Sequence, residues 1–130
     1  MALQDCLVGA MVPVSDMAKA KEFYEGTLGF SNGDEEPDGG LTYHCAEGSR
    51  VHVYPSPEGG GKSGATVAGF RMDDVNPMVD ELSSKGVTFE QYDMGELKTN
   101  EKGIVEFGDG GGTVAWFKDP DGNLLAIFND

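Results

Sequence analysis

The pattern of apolar and polar residues along this chain occurs twice, with the same order of predicted elements. Residues 12–30 read VPVSDMAKAKEFYEGTLGF, and residues 70–89 read FRMDDVNPMVDELSSKGVTF. Each copy predicts a strand, an acidic helix cap at Asp16 or Asp74, an amphipathic helix and a glycine stop. Two copies of one unit usually pack about a pseudo-twofold axis. The sequence therefore predicts two similar modules around a shared cavity.

Three short strands are expected after the first helix and four after the second. In the first module the predicted strands are 7–14, one near Phe30, 41–46 and 50–54. In the second module they are 65–72, 87–91, 103–107, 113–118 and 123–128. The turn DPDG at 119–122 predicts a hairpin with a four-residue loop. We expect one domain over 1–130, with module one at about 5–57, a connector at about 58–64 and module two at about 65–130.

The Gly-rich connector does not fit a nucleotide-binding loop. Residues 59–63 read GGGKS, but the first glycine of the phosphate-binding pattern would fall on Ser56. The segment also leads into a predicted strand, whereas that pattern requires a helix N-terminus to hold phosphates.

Composition and charge restrict the partners. The chain has 130 residues, 38% of them hydrophobic, which is enough for a buried core. Its formal net charge is −14, which disfavours nucleic acid and anionic membranes and would attract cationic ligands. No signal-like start or membrane-length apolar run is visible, so a cytoplasmic protein is expected.

Two segments resemble a known superfamily. VSDMAKAKEFYEGTLGF at 14–30 and VAWFKDPDGNLLAIF at 114–128 resemble the vicinal oxygen chelate superfamily. Glyoxalase I, extradiol dioxygenases, fosfomycin-resistance enzymes and bleomycin-resistance proteins belong to it. The resemblance implies an α+β fold of two tandem βαβββ modules, whose mixed sheet curls into a cup that a homodimer usually completes. It implies no particular reaction, because this fold carries both metalloenzymes and metal-free binders.

The metal-ligand positions that the resemblance implies are mostly without donor side chains. They correspond here to Gly9, His52, Val67 and Ala126. A catalytic divalent ion normally needs about three protein ligands from His, Glu, Asp or Cys. We therefore expect a subgroup that lacks the superfamily's metal site and carries no cofactor.

A non-standard site at the two histidines remains open at this stage. A three-residue hairpin loop would place His44 opposite His52 on one face, with Glu106 or Glu90 as a third ligand. A two-residue loop would instead pair His44 with Val51 and separate the two rings. Ordinary polar roles for both histidines are the alternative.

Strand alternation gives the lining of the expected cup. If the four ligand positions face inward, residues two positions away on each strand do too. The predicted ligand-binding residues are Met11, His52, Tyr54, Arg71, Phe117, Leu124 and Phe128. The predicted core residues of opposite parity are Val12, Val53, Phe70, Leu125 and Ile127. Trp116 is expected under the helices, and the small residues Gly9, Gly69 and Ala126 are expected at the cup floor. The loop 92–103 is expected either over the pocket or as a surface excursion.

Three functions fit these observations. The favoured one is a metal-independent small-molecule-binding protein of the bleomycin-resistance type, which sequesters or senses an aromatic or cationic compound. The second is a glyoxalase-like lyase or dioxygenase-related enzyme that uses His52 as general acid or base, or a non-standard metal site. The third is a non-catalytic interaction module with a vestigial cup.

Overall fold

The structure, a computed structural model, describes residues 2–95, 97–108 and 112–129. Its strands in chain order are β1 (Gly9–Val14), β2 (Asp34–Glu35), β3 (Leu41–His44), β4 (Arg50–Pro55), β5 (Thr66–Arg71), β6 (Asp93–Met94), β7 (Leu97–Lys98), β8 (Ile104–Glu106), β9 (Thr113–Lys118) and β10 (Leu124–Asn129). Its helices are α1 (Met17–Lys21), which continues as a π-helical segment at Glu22–Thr27, and α2 (Val75–Ser84). Short 3₁₀ turns lie at Leu3–Asp5 and Ala46–Gly48.

The two halves of the chain have the same sheet topology. The first sheet has the strand order β1-β4-β3-β2, and the second has the order β5-β10-β9-β8. β1 pairs in parallel with β4, and β5 pairs in parallel with β10, while the other neighbours are antiparallel. β1 and β5 contact each other. The predicted α+β fold of two βαβββ modules is therefore confirmed, as two separate mixed sheets that do not close into a barrel.

Two predicted strands are wrong. No strand lies at Phe30, whose ring packs against Tyr43 and Phe70. The edge strand of the first sheet is β2. The segment 87–91 makes only an isolated bridge, Phe89 with Phe117. In the longer loop of the second module, β6 and β7 form a small hairpin.

Helix starts follow the predicted cap chemistry. The Asp16 carboxylate accepts hydrogen bonds from the backbone N–H groups of Ala18 and Lys19, at 3.0 and 3.2 Å. At α2 the cap is Asp74, whose carboxylate accepts from the N–H of Asn76 at 3.0 Å. Gly86 after α2 has φ +94, a left-handed conformation that favours glycine. Local sequence thus determines where both helices begin.

The core lies between the helices and one face of each sheet. The predicted core residues Val12, Val53, Leu125 and Ile127 are buried, and Phe70 is half-buried against them. None of the helices in the described ranges has the length and apolar character that a bilayer crossing requires.

The pairing of β9 with β10 contradicts the predicted faces of Phe117 and Trp116. The loop between β9 and β10 holds residues 119–123, one more than predicted, so Phe117 pairs with Leu125 and Trp116 with Ala126. A slip of one residue moves every side chain to the other face of the sheet. Phe117 is therefore 1% exposed in the core, where it contacts Phe23, and Trp116 lies on the open face.

The turn after β9 also anchors the connector between the modules. Asp121 accepts from the backbone N–H and the hydroxyl of Ser15, at 2.9 and 3.0 Å, and from the N–H of Gly60 at 2.9 Å. Asn123 accepts from the N–H of Gly61 at 2.8 Å. A Cβ at either glycine would collide with a backbone or side-chain atom of the facing segment. Close backbone approach, not phosphate binding, explains these connector glycines.

Asp119 links the same turn to the first helix. Its carboxylate is 5% exposed and accepts from the Tyr24 hydroxyl at 2.8 Å and from the backbone N–H groups of Asp121 and Asn123, each at 2.9 Å. Burial, together with the charge of Asp119 and its hydrogen bond, raises the pKa of Tyr24 well above its usual value. One turn of the second module thus fixes the helix of the first.

Candidate functional site

A concave surface of about 400 Å³ lies on the open face of the first sheet. Its lining residues are Gly9, Ala10, Met11, Asp34, Glu36, Thr42, His44, Arg50 and His52. We call it the first-sheet depression. Strand alternation accounts for most of this lining, because every second residue of β1, β3 and β4 faces the side away from the helices.

His52 is held from both sides of its ring. Nδ1 lies 3.0 Å from the Thr42 hydroxyl oxygen, and Nε2 lies 2.8 Å from a carboxylate oxygen of Asp38. Because a carboxylate can only accept, Nε2 carries a hydrogen, and a neutral ring then accepts the Thr42 proton at Nδ1. The Tyr54 ring is stacked on His52 at 5.7 Å with an interplanar angle of 8°. The imidazole orientation is therefore fixed.

Asp38 keeps its negative charge beside this ring. The backbone N–H of Gly40 donates to the carboxylate at 2.8 Å, and this bond, together with the bond to His52, lowers the pKa of Asp38 below its usual value. Asp34 and Glu36 stand earlier in the same segment. An acidic rim thus borders the depression.

His44 has its own carboxylate partner. Its Nε2 lies 2.7 Å from Asp34, and the pair is solvent-exposed. The hairpin loop between β3 and β4 holds residues 45–49, so His44 pairs with Arg50, and His52 pairs with Thr42. Neither predicted loop length is correct. The two histidines share one face but are not directly opposite each other.

A second concave region adjoins the depression where β1 and β5 meet. It has a volume of about 400 Å³ and includes Val8, Cys45, Val67 and Gly69. We call it the edge cleft. It shares Gly9, Ala10 and Arg50 with the first-sheet depression. Burial raises the pKa of the Cys45 thiol, so the more reactive thiolate is disfavoured there. A mainly apolar surface thus continues from the acidic rim.

Comparison with known proteins identifies the family. The sequence profile of the Glyoxalase/Bleomycin resistance protein/Dioxygenase superfamily matches residues 7–127. The chain belongs to this superfamily. No curated protein matches it significantly.

Several solved structures share its fold. A glyoxalase/bleomycin resistance protein from Streptomyces sp. CB03234 is 25% identical with a TM-score of 0.64, over 94% of this chain and 98% of that chain. TnmS3, an antibiotic binding protein from the same strain, is 24% identical with a TM-score of 0.67, over 95% and 94%. An integron cassette protein from the metagenome of the Halifax Harbour sewage outfall is 21% identical with a TM-score of 0.69, over 96% and 98%.

The side chains at the superfamily's metal-ligand positions do not fit a metal ion. Gly9, Val67 and Ala126 have no donor atoms, and both ring nitrogens of His52 lie within hydrogen-bond distance of protein oxygens. Across the residues that the structure describes, His, Cys, Asp and Glu form no group of three or more that could hold an ion. The donor chemistry therefore differs from that of a metal-dependent member.

The predicted ligand-binding residues are divided between several places. Met11 and His52 line the first-sheet depression, and Tyr54 backs His52. Arg71, Leu124 and Phe128 belong to strands of the second sheet. Phe117 is in the core, because the longer hairpin loop reverses its face.

The open face of the second sheet carries aromatic rings. A Cβ at Gly69 would lie 3.0 Å from the Phe128 ring, so this ring borders the floor position expected there. Ala126 is 6% exposed and is paired with Trp116, whose ring packs edge-to-face on Tyr92 at 5.5 Å. Gly69 is nevertheless exposed and, with Gly9, lines the edge cleft.

Sequence reasoning missed the acidic side of the site. Asp34, Glu36 and Asp38 lie in the run DEEPD at 34–38, which resembles an ordinary solvated loop. The available indication was its position, directly before a strand whose Thr42 and His44 are polar at alternate residues. That pattern marks a sheet face with polar contacts on its open side.

Proposed function

We propose that this protein binds a small organic cation, without the superfamily's metal, in the first-sheet depression. One observation carries the proposal: the depression, whose lining contains the carboxylates of Asp34 and Glu36 together with Arg50, is continuous with the mainly apolar edge cleft. Small-molecule sites are typically apolar surfaces with a few polar groups that fix orientation. An aromatic cation would place its ring near Val8 and Val67, and its charge near Glu36 and Asp34.

The charge of the whole chain supports a cationic ligand. The formal net charge is −14, and such a field concentrates cations near concave acidic surfaces. His44 restricts the position of the Asp34 carboxylate through a contact of 2.7 Å, and His52 restricts that of Asp38 through a contact of 2.8 Å. Pre-ordered charges lose little entropy when a ligand binds, so they improve affinity.

Metal independence is supported by the side chains of Gly9, Val67 and Ala126, which contain no atom that could coordinate a metal ion. TnmS3, described as an antibiotic binding protein, has the same fold. At 24% identity that likeness supports only the fold, so the cationic ligand class rests on the residues of this chain.

A matched set of indole compounds tests the ligand class. Tryptamine, indole and indole-3-propionate share one ring system and carry a positive, zero and negative charge. We expect the lowest Kd for tryptamine when binding is followed at the methyl signal of Met11, which lines the first-sheet depression. We expect Glu36→Gln to weaken tryptamine binding about two- to fivefold, as for a partly exposed ion pair. The control Glu101→Gln removes an exposed acid of the second module. Equal binding of the anion, or an equal loss in the control, would contradict the proposal.

A second function, acid–base catalysis, is favoured by the chain of contacts from Asp38 through His52 to Thr42. A carboxylate that orients an imidazole next to a hydroxyl is an arrangement used in proton transfer. The test measures turnover of a bound compound. We expect His52→Gln to abolish this turnover, while the Kd of the same compound changes less than twofold. Unchanged product formation in that variant would exclude this role.

We also propose that two copies of the chain associate. Leu3 and Leu7 are 88% and 69% exposed, and a second copy would remove them from water. Sedimentation equilibrium at micromolar concentration should give about twice the chain mass of 13.8 kDa. A mass of one chain would contradict the proposal.

A further inference from the structure

A pocket of about 210 Å³ lies on the helical side of the sheets, away from the first-sheet depression. Leu28 and Phe30 from the first module line one side, and Met78 and Leu82 of α2 line the other. Phe117 of β9, expected from the sequence in the cup, belongs to this pocket instead. We call it the inter-module pocket.

The lining of the inter-module pocket is entirely apolar. The ring centroids of Phe30 and Phe70 are 5.9 Å apart with an interplanar angle of 64°. Met72 and Met78 add two flexible thioethers. Aromatic edges and methionine sulfur both make favourable contacts with aromatic rings, and thioether chains adapt to different ligand shapes. A charged ligand would lose its hydration here without gaining a partner from the lining.

The inter-module pocket is partly open to solvent, and its volume indicates how much of an occupant it can enclose. An apolar cavity of roughly 150 Å³ can hold a benzene molecule and stays free of water, because water needs two to four polar partners. The inter-module pocket, at about 210 Å³, has room for one or two fused rings.

We propose that the inter-module pocket is a second binding site, which takes a small uncharged aromatic molecule. It is independent of the proposed cation site, because its lining shares no residue with the first-sheet depression or the edge cleft except Phe70 at the cleft's margin. Residues of both modules contact the occupant, so binding would also stabilise their association.

The test titrates indole into protein with ¹³C-labelled methionine methyl groups. Met72 and Met78 report on the inter-module pocket, Met11 reports on the first-sheet depression, and exposed Met94 is a reference. We expect the Met72 and Met78 signals to shift together, saturably, and tryptamine to shift them at least tenfold more weakly than indole. Shifts at Met11 without shifts at Met72 and Met78, or no shift up to the solubility limit, would overturn the proposal.

A filling variant tests the same site by volume. We expect Met78→Phe to weaken indole binding at least tenfold, while Met94→Phe, the same substitution at an exposed position, leaves it within twofold. If Met78→Phe does not fold, Leu28→Phe, at a half-buried lining position, takes its place. Indole affinity unchanged in a folded filling variant would overturn the proposal.

Discussion

The open faces of the two sheets differ, although their strands have the same order. On the first sheet, Met11 and His52 border a depression with ionisable side chains. On the second, the Phe128 ring borders Gly69, and Trp116 packs on Tyr92. A duplicated scaffold thus carries ionisable side chains on the open face of one module and aromatic rings on that of the other. Backbone topology alone does not make a site, since the side chains decide whether the concave face stays open.

The largest expected effect on stability comes from the buried face of β9, where Phe117 lies, compared with the open face, where Trp116 lies. We expect Phe117→Ala to lower the free energy of unfolding by about 3–5 kcal/mol, because a buried ring is removed from the core. Trp116 is half-buried on the open face, so Trp116→Ala should cost about 1–2 kcal/mol. Urea unfolding of both variants measures the difference. A larger loss for Trp116→Ala would show that the two faces are exchanged.

The hairpin turns of the two modules should differ in their contribution to stability. We expect Asp119→Asn to cost about 2–3 kcal/mol, because an amide cannot satisfy all the donors that surround this buried carboxylate. The matched change in the first module's turn is Ser49→Ala, whose exposed hydroxyl bonds only locally to the carbonyl of Ala46. That variant should cost less than about 0.5 kcal/mol. Similar losses for both variants would contradict the asymmetry.

Alkaline pH should weaken the contact between Tyr24 and the second module's turn. The folded-state pKa of Tyr24 is raised, so above the ordinary tyrosine pKa of about 10 the unfolded chain loses the proton first. The stability that this group contributes is present below pH 10 and is lost as pH rises. We expect a shallower alkaline decline of Tm in Tyr24→Phe than in the wild type. Parallel declines would argue against this coupling.

The smallest effect is expected at the rim of the first-sheet depression. The folded-state pKa of Asp38 is lowered, so its contribution is present above about pH 4 and lost as pH falls through the folded pKa. Asp38→Asn should therefore reduce the slope of stability against pH below pH 4. Denaturant titrations between pH 2 and 5 measure this slope. An unchanged slope would mean that Asp38 is not held by Gly40 and His52.

Most of the architecture could be predicted from the sequence because it depends on local rules. Asp16 and Asp74 cap the helices through bonds to residues two or three positions away. The alternation on β1, β4 and β10 separates core residues from open-face residues with a period of two. For this reason Met11 and His52 lie on the face away from the helices, where they line the first-sheet depression.

The wrong predictions concern features that one extra loop residue, or a contact between residues far apart in the sequence, determines. A hairpin loop of five residues, in place of four, exchanged the faces of Phe117 and Trp116. The carboxylate of Asp38 contacts His52 from a turn, and hydrophobic periodicity does not predict contacts made by turn residues. The Phe128 ring lies 3.0 Å from where a Cβ of Gly69 would stand, and side-chain packing of this kind cannot be predicted from strand alternation.

The most direct test of the central claim is a map of where a cation binds. Tryptamine is titrated into protein with labelled methionine methyl groups and labelled histidine rings. The account predicts saturable shifts of Met11, His44 and His52, with much smaller changes at the Trp116 indole and at Met72 and Met78. Saturable shifts confined to Trp116, or to Met72 and Met78, would contradict the claim that the first-sheet depression is the cation site.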